Sequence, residues 1–133
     1  MPRFMMFMYP MISEEEYAAG PSVEDVERMT RYNEELVRAG ALLAADGLHP
    51  EGTRVSVNGV TNGPFSEAKE LVGGYWIIQA KDREEAVEWA KRVPLTGESF
   101  VEVRQMIEMD EWSEELQEAA KLSQEPPHQT SAA

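Results

Sequence analysis

Two stretches of the chain carry apolar side chains at almost every position, which indicates strands with both faces covered. They are Arg3–Tyr9 and Tyr75–Ala80. Thr53–Val57 and Phe100–Glu108 alternate apolar and polar side chains instead, which is typical of strands with one face in water. Ala41–Ala45 predicts one further short strand. The pattern therefore predicts a sheet with two central strands and more exposed neighbours.

Two segments between these strands have helical spacing and recognisable ends. In the first, Ser22 and Asp25 form a capping-box pattern, and Gly40 is placed to end the helix in a left-handed conformation. In the second, Asp82 caps the helix and Pro94 stops it. The apolar positions of the first helix are Val23, Val26, Met29, Leu36 and Val37, with Tyr32 and Asn33 between them.

The remaining segments are turns, loops and a C-terminal extension. Asn58-Gly59 is a two-residue hairpin signal and predicts an extra hairpin before the third main strand. Ser13–Gly20 is predicted to be an acidic loop. Asp110–Leu122 has the spacing of an acidic amphipathic helix, and 123–133 lacks any periodicity, so we expect a disordered tail there.

The order of these elements predicts an α+β fold, a ferredoxin-like βαββαβ sheet with an extra hairpin. Two helices cover one face of the sheet, and the other face of the central strands needs a cover. A chain of 133 residues has no second sheet to supply it. We therefore expect a homodimer whose sheets pack face to face as a dimeric α/β barrel. The alternative is that the C-terminal helix folds back over the open face of its own subunit.

Composition narrows the classes of partner. The net charge of −13 disfavours nucleic acid and anionic membranes as partners. The chain has no cysteine, which excludes disulfides, thiolate metal sites and a cysteine nucleophile. The apolar run before Pro10 is too short for an export signal or a membrane span, so we expect a cytoplasmic protein. The methionines of the first strand are interpreted as core, and we predict neither a metal nor a bound cofactor.

One motif carries a family likeness. Asn62–Glu70, followed by Gly73-Gly74-Tyr75, resembles the DGPFAETKE signature of the DGPF-domain, YCII-related proteins. Supporting segments are Tyr32-Asn33-Glu34-Glu35-Leu36, Gly47-Leu48-His49-Pro50, Glu84–Ala90 and Val101–Arg104. The resemblance covers residues 1–109, which we predict to be one domain, with 110–122 as a helical extension. It implies a ferredoxin-like fold and a dimer with a cleft between subunits.

The resemblance implies less about chemistry. Better-understood YciI-like relatives are similar to enzymes in which a His–Asp pair does acid–base work, and some genes of the group lie beside extracytoplasmic-function sigma factors. This chain has Met29 at the helix position where those relatives carry His. It has Asn62 in place of the first Asp of the signature and Ala68 in place of its Thr. An amide takes no proton at neutral pH, so acid–base work at position 62 is excluded.

Two residues are the candidate catalytic groups. His49, at the end of a predicted strand, is a candidate general base or ligand-orienting donor, because imidazole titrates near neutrality. The alternative is a loop histidine that caps backbone groups or packs on Pro50. Glu67, a carboxylate two residues from the ammonium of Lys69, is the second candidate. Its alternative role is to accept backbone N–H groups of the turn that begins at Asn62.

Four further residues are the candidate ligand-binding groups: Asn62, Lys69, Tyr75 and Arg104. The neighbouring pair Gly73-Gly74 is interpreted as a place of close backbone packing rather than as a phosphate loop.

Two functional hypotheses follow. The first is a small-molecule cleft at the dimer interface, with hydrolase- or lyase-like acid–base chemistry. The second is a non-catalytic regulatory or accessory module, which the residues at positions 29, 62 and 68 favour. In that case the acidic C-terminal helix would bind a basic protein partner, with Trp112 and Leu116 as its anchors.

Overall fold

The structure is a computed structural model, and it describes residues 1–63 and 71–121. The strands of this part are β1 (Arg3–Tyr9), β2 (Leu42–Gly47), β3 (Thr53–Ser56), β4 (Gly59–Asn62), β5 (Gly74–Gln79) and β6 (Phe100–Gln105). The α-helices of this part are α1 (Glu14–Ala19), α2 (Val23–Arg38), α3 (Arg83–Lys91) and α4 (Glu114–Ala119). The predicted α+β class is confirmed.

The main sheet is antiparallel and has the strand order β2-β5-β1-β6. The two strands with apolar side chains on both faces, β1 and β5, are therefore central, as predicted. On one face, Phe4, Met6 and Ile78 are completely buried under α2 and α3, and Trp76 is almost so. This layer between sheet and helices is the hydrophobic core.

The predicted ends of α2 are confirmed. The Ser22 hydroxyl accepts from the Asp25 N–H at 3.1 Å, and the Asp25 carboxylate accepts from the Ser22 N–H at 3.3 Å. Gly40 follows the helix with a φ of +70°, a conformation that costs other residues steric strain. The apolar positions are less uniform than predicted, because Val23 and Val37 are 74% and 61% exposed.

Two local predictions were wrong. Ser13–Gly20 is not a loop: the Ser13 hydroxyl caps α1 by accepting from the Glu16 N–H, and the acidic first turn suits the positive end of the helix. The turn of the extra hairpin is centred on Val57-Asn58, so Gly59 is the first residue of β4. All eight residues of the two strands of the β3–β4 hairpin are exposed.

The C-terminal segment differs from a continuous helix over 110–122. A 3₁₀ turn spans Met109–Glu111, and α4 begins after its N-cap Ser113. Trp112 and Leu116 are 40% and 53% exposed, so the described residues leave a large part of both side chains uncovered. The predicted tail 123–133, with His128, lies outside the described residues.

The second face of the main sheet, here called the open face, carries Met5, Phe7 and Ile77 at its centre. These side chains are only partly buried by the described residues. At one edge of the open face, the rings of Tyr9 and Phe100 stack with centroids 4.6 Å apart. The described part of the subunit therefore leaves an apolar surface on this face accessible.

Candidate functional site

A cavity of about 930 Å³ lies at one end of the sheet, and residues from both faces of the sheet line it. Its apolar surface includes Met8 of β1, Met29 of α2 and Trp76 of β5. The end of β2, the C-terminal half of α1, the first turn of α2 and the loop between α3 and β6 complete the wall. A partly apolar concavity of this volume is typical of small-molecule sites.

Two consecutive glycines shape the floor of the cavity. A Cβ on Gly73 would lie 2.9 Å from the Pro10 Cδ, and a Cβ on Gly74 would lie 3.0 Å from the Asp46 carbonyl oxygen. A side chain at Gly73 would clash with Pro10, and one at Gly74 would require the backbone of Asp46 to shift. The close-packing interpretation of this pair therefore agrees with the structure. The backbone N–H of Gly73 donates to the Met8 carbonyl at 2.7 Å, which joins β1 to the start of β5.

Helix α1 supplies one wall through Tyr17. The Tyr17 hydroxyl donates to the Leu48 carbonyl at 2.8 Å, just past the end of β2. Partial burial raises the pKa of Tyr17. This wall was not predicted from the sequence, because the segment has a single aromatic residue among acids and small residues and no apolar period.

Tyr75 and Asp46 form a polar pair on neighbouring strands. The Tyr75 hydroxyl donates to the Asp46 carboxylate at 3.2 Å, and both residues line the cavity. This hydrogen bond, followed by the negative charge of Asp46, raises the pKa of Tyr75. The phenol therefore stays protonated at neutral pH and acts as a donor toward Asp46 rather than as a base.

Asn33 and Trp76 join α2 to β5 inside the wall. The Trp76 indole N–H donates to the Asn33 side-chain carbonyl at 2.8 Å. The Tyr32 ring packs edge-on against Trp76 with centroids 5.7 Å apart, and its hydroxyl donates to the Trp89 carbonyl at 2.7 Å. These contacts hold Asn33 in place. The feature of the sequence that could have indicated Asn33 is a polar amide at a helix position beside core residues.

Carboxylates exceed cations among the described lining residues. Glu16, Asp25 and Asp46 are acidic, and Arg28 already pairs with Glu24 at 2.6 Å. Two of the acids hold helix N-termini: Asp25 accepts from the Ser22 N–H, and Glu16 accepts from the Ser13 hydroxyl at 3.2 Å. Asp46, which accepts from Tyr75, has no such capping role.

Comparison with known families identifies the domain. The model of the YCII-related domain matches residues 3–110, more than three quarters of the chain. The chain belongs to the YCII-related domain family. A search of curated proteins finds no match.

The YCII-related domain brings only some of the predicted site residues together. Tyr75 lines the cavity, and so does Met29, the residue at the helix position where YciI-like relatives carry His. His49 is exposed on the loop after β2 and is not among the described lining residues. The cavity is therefore built from residues other than this histidine.

Asn62 and Arg104 lie elsewhere in the YCII-related domain. The Asn62 side-chain carbonyl accepts from the Thr53 hydroxyl at 2.9 Å across the β3–β4 hairpin. Arg104 is exposed on β6, in register with Met5 of the open face. The candidates Glu67 and Lys69, together with Ala68, lie outside the described residues. Their roles stay predictions.

Residues 1–63 and 71–121 contain no cluster of three or more His, Asp or Glu side chains that could hold a metal ion. In the same part of the chain, each helix is too short or too polar to cross a membrane.

Proposed function

We propose that this YCII-related domain binds a small organic molecule in the cavity at the end of its sheet. The single observation behind this proposal is the 930 Å³ concavity with an apolar floor and an ordered polar pair, Tyr75 and Asp46. Sites for small ligands combine these features, because apolar area supplies affinity and a few fixed polar groups supply orientation.

Binding is favoured over acid–base turnover. Met29 contributes a thioether where relatives carry an imidazole, and the described lining contains no histidine. Two of the three described carboxylates are engaged at helix N-termini, and the raised pKa of Tyr75 keeps it protonated. If turnover does occur, Asp46 is the described lining carboxylate best placed to take a proton.

The partly exposed apolar centre of the open face supports the proposal of a homodimer. Met5, Phe7 and Ile77 lie on two central strands, where a second sheet can pack directly against them. Such packing would give the dimeric α/β barrel expected from the sequence. Tyr75 is in register with Phe7, so the polar pair of Tyr75 and Asp46 lies on this same open face, at the end of the sheet that lines the cavity.

The proposed function is tested by screening a metabolite library by thermal shift and repeating each hit with Thr30→Trp. Thr30 is exposed and lines the cavity, so its replacement adds bulk to the cavity without disturbing the core. The matched control is Arg31→Trp, at the next position of α2. A ligand present at 100 times its Kd stabilises the wild type by about 2.7 kcal/mol. We expect Thr30→Trp to lose this shift and Arg31→Trp to keep it; equal shifts in both variants contradict the proposal.

A second candidate function is regulation through the C-terminal segment. Its support is the exposure of Trp112 and Leu116 beside acidic residues. A basic partner, such as an extracytoplasmic-function sigma factor from the same genome, would cover these two side chains. A two-hybrid assay with this sigma factor tests the candidate. We expect Trp112→Ala to abolish the association and Val57→Ala, the control, to keep it. An association that Trp112→Ala leaves unchanged contradicts this candidate function.

A further inference from the structure

The orientation of the Asn33 side chain is fixed by chemistry. An indole N–H can only donate, so the 2.8 Å bond from Trp76 must end on the carbonyl oxygen of Asn33 and not on its nitrogen. The amide N–H groups of Asn33 are consequently on the side turned away from the indole nitrogen.

These two N–H donors remain for a ligand. Asn33 lines the cavity, and the hydrogen bonds among the described residues use only its carbonyl. In this part of the chain, no fully buried polar atom of a buried or half-buried side chain lacks a partner, so the Asn33 nitrogen is not fully buried. A donor already held in one orientation loses little conformational freedom on binding. Asn33 therefore presents a preorganised donor to a hydrogen-bond acceptor.

The charge of the wall restricts which acceptors fit. Glu16, Asp25 and Asp46 are negative, while the one described lining cation, Arg28, is paired with Glu24. The whole chain carries a net charge of −13. A carboxylate ligand would meet repulsion here, whereas a neutral carbonyl would not.

We propose that the cavity selects uncharged or cationic carbonyl compounds, such as primary amides, whose carbonyl oxygen accepts from the Asn33 amide. An amino group elsewhere on the ligand would be attracted by the acidic residues of the lining. This proposal rests on the proposed function, because it names the ligand class of the same cavity.

The test uses three probes with a common phenyl-alkyl skeleton. 3-Phenylpropanamide has a neutral carbonyl, 3-phenylpropanoate has a charged one, and phenethylamine has an ammonium group and no carbonyl. Their Kd values are measured by chemical-shift titration of the full chain. We expect the amide to bind at least tenfold more tightly than the carboxylate.

Asn33→Asp identifies the donor. Aspartate keeps an oxygen for Trp76 but removes both N–H donors. We expect this variant to weaken 3-phenylpropanamide at least tenfold and to leave phenethylamine bound as well or better. The matched control is Asn58→Asp, which adds the same charge on the exposed hairpin and should change neither Kd. Near-ultraviolet circular dichroism checks that Trp76 keeps its packing.

Three results overturn the proposal: the carboxylate binds as tightly as the amide, Asn33→Asp weakens amide and amine equally, or no probe binds at 10 mM. The proposed function is judged separately. Suppose that library ligands without a carbonyl bind the wild type and fail to bind Thr30→Trp. The cavity would then be a small-molecule site, but Asn33 would not determine its ligand class.

Discussion

Phe4 and Phe7 are the same residue type on the same strand, three positions apart, yet their surroundings differ. Phe4 faces the helices and has no exposed surface, whereas Phe7 faces the open side and is only partly buried. Side chains of a strand alternate between its faces, so one apolar sequence serves two surfaces. Packing on the covered face stabilises the fold of the subunit. The apolar side chains of the open face are not covered by the described residues, so their presence is explained only by a contact outside that part of the subunit.

The largest expected effect is a difference between the two faces in the free energy of unfolding lost on substitution. Phe4→Ala should lower the free energy of unfolding by about 3–5 kcal/mol, because it leaves a cavity in a closed core. Phe7→Ala should cost clearly less at protein concentrations where the chain is a monomer. Urea unfolding followed by far-ultraviolet circular dichroism measures both values. Equal losses would mean that the two faces are equally packed.

The open face is tested next, through association. Phe7→Asp places a charge at the centre of the proposed interface, and we expect the Kd of the dimer to rise at least 100-fold, which corresponds to about 2.7 kcal/mol. Val55→Asp, on the exposed hairpin, adds the same charge and serves as the control. Sedimentation velocity over a concentration series gives both constants. A wild-type chain that stays monomeric at micromolar concentration would remove the homodimer from the proposal.

A smaller effect compares two tyrosines. Tyr32→Phe removes the hydroxyl that donates to the Trp89 carbonyl on the covered side and should cost about 1 kcal/mol. Tyr9→Phe removes a hydroxyl beside the open face that makes no hydrogen bond with the described residues, and it should be nearly neutral. Thermal unfolding at one protein concentration compares them. A Tyr9→Phe loss as large as that of Tyr32→Phe would reveal a partner for Tyr9.

The smallest effect concerns the ion pair of Arg3 and Glu108, at 2.9 Å and partly exposed to water. The hydrogen bond from Arg3 lowers the pKa of Glu108 below its usual 4.5. The pair therefore adds stability above the unfolded-state pKa, and this contribution is lost as the pH falls through the lowered folded-state value. Glu108→Gln should reduce the difference in unfolding free energy between pH 6 and pH 3.

Glu98→Gln is the control for that acid titration, because Glu98 is an exposed acid away from Arg3. A carboxyl-carbon NMR titration locates the Glu108 midpoint directly. A midpoint at or above 4.5 would show that the pair does not form in solution.

The fold was largely predictable because its signals are local. Ser22 with Asp25 and the left-handed Gly40 define α2 within the neighbouring residues of the chain, and the doubly apolar stretches identify the central strands. Helix α1 was missed although Ser13 and Glu16 have a capping spacing, because the segment has no apolar period and its packing depends on Tyr17 reaching Leu48, 31 residues away. Contacts of that kind leave no periodic pattern in a sequence.

The candidate site was less predictable for the same reason. His49 was a candidate because histidine is rare in this chain, but the rarity of a residue does not determine whether a loop directs its side chain toward a cavity. Asn33 gains its proposed role from Trp76, 43 residues later in the chain. Tyr75 lines the cavity as a ligand-binding residue would, although its hydrogen bond to Asp46 could be established only from the register of β2 against β5.

The exposed β3–β4 hairpin has a practical use. Val57 at its tip is fully solvent-exposed, and the two strands carry no buried residue. Exposed loop tips of this kind accept inserted sequence without loss of the host fold. A peptide tag or a fluorophore attached between Val57 and Asn58 would label the protein while leaving the termini and the helix-covered core unaltered.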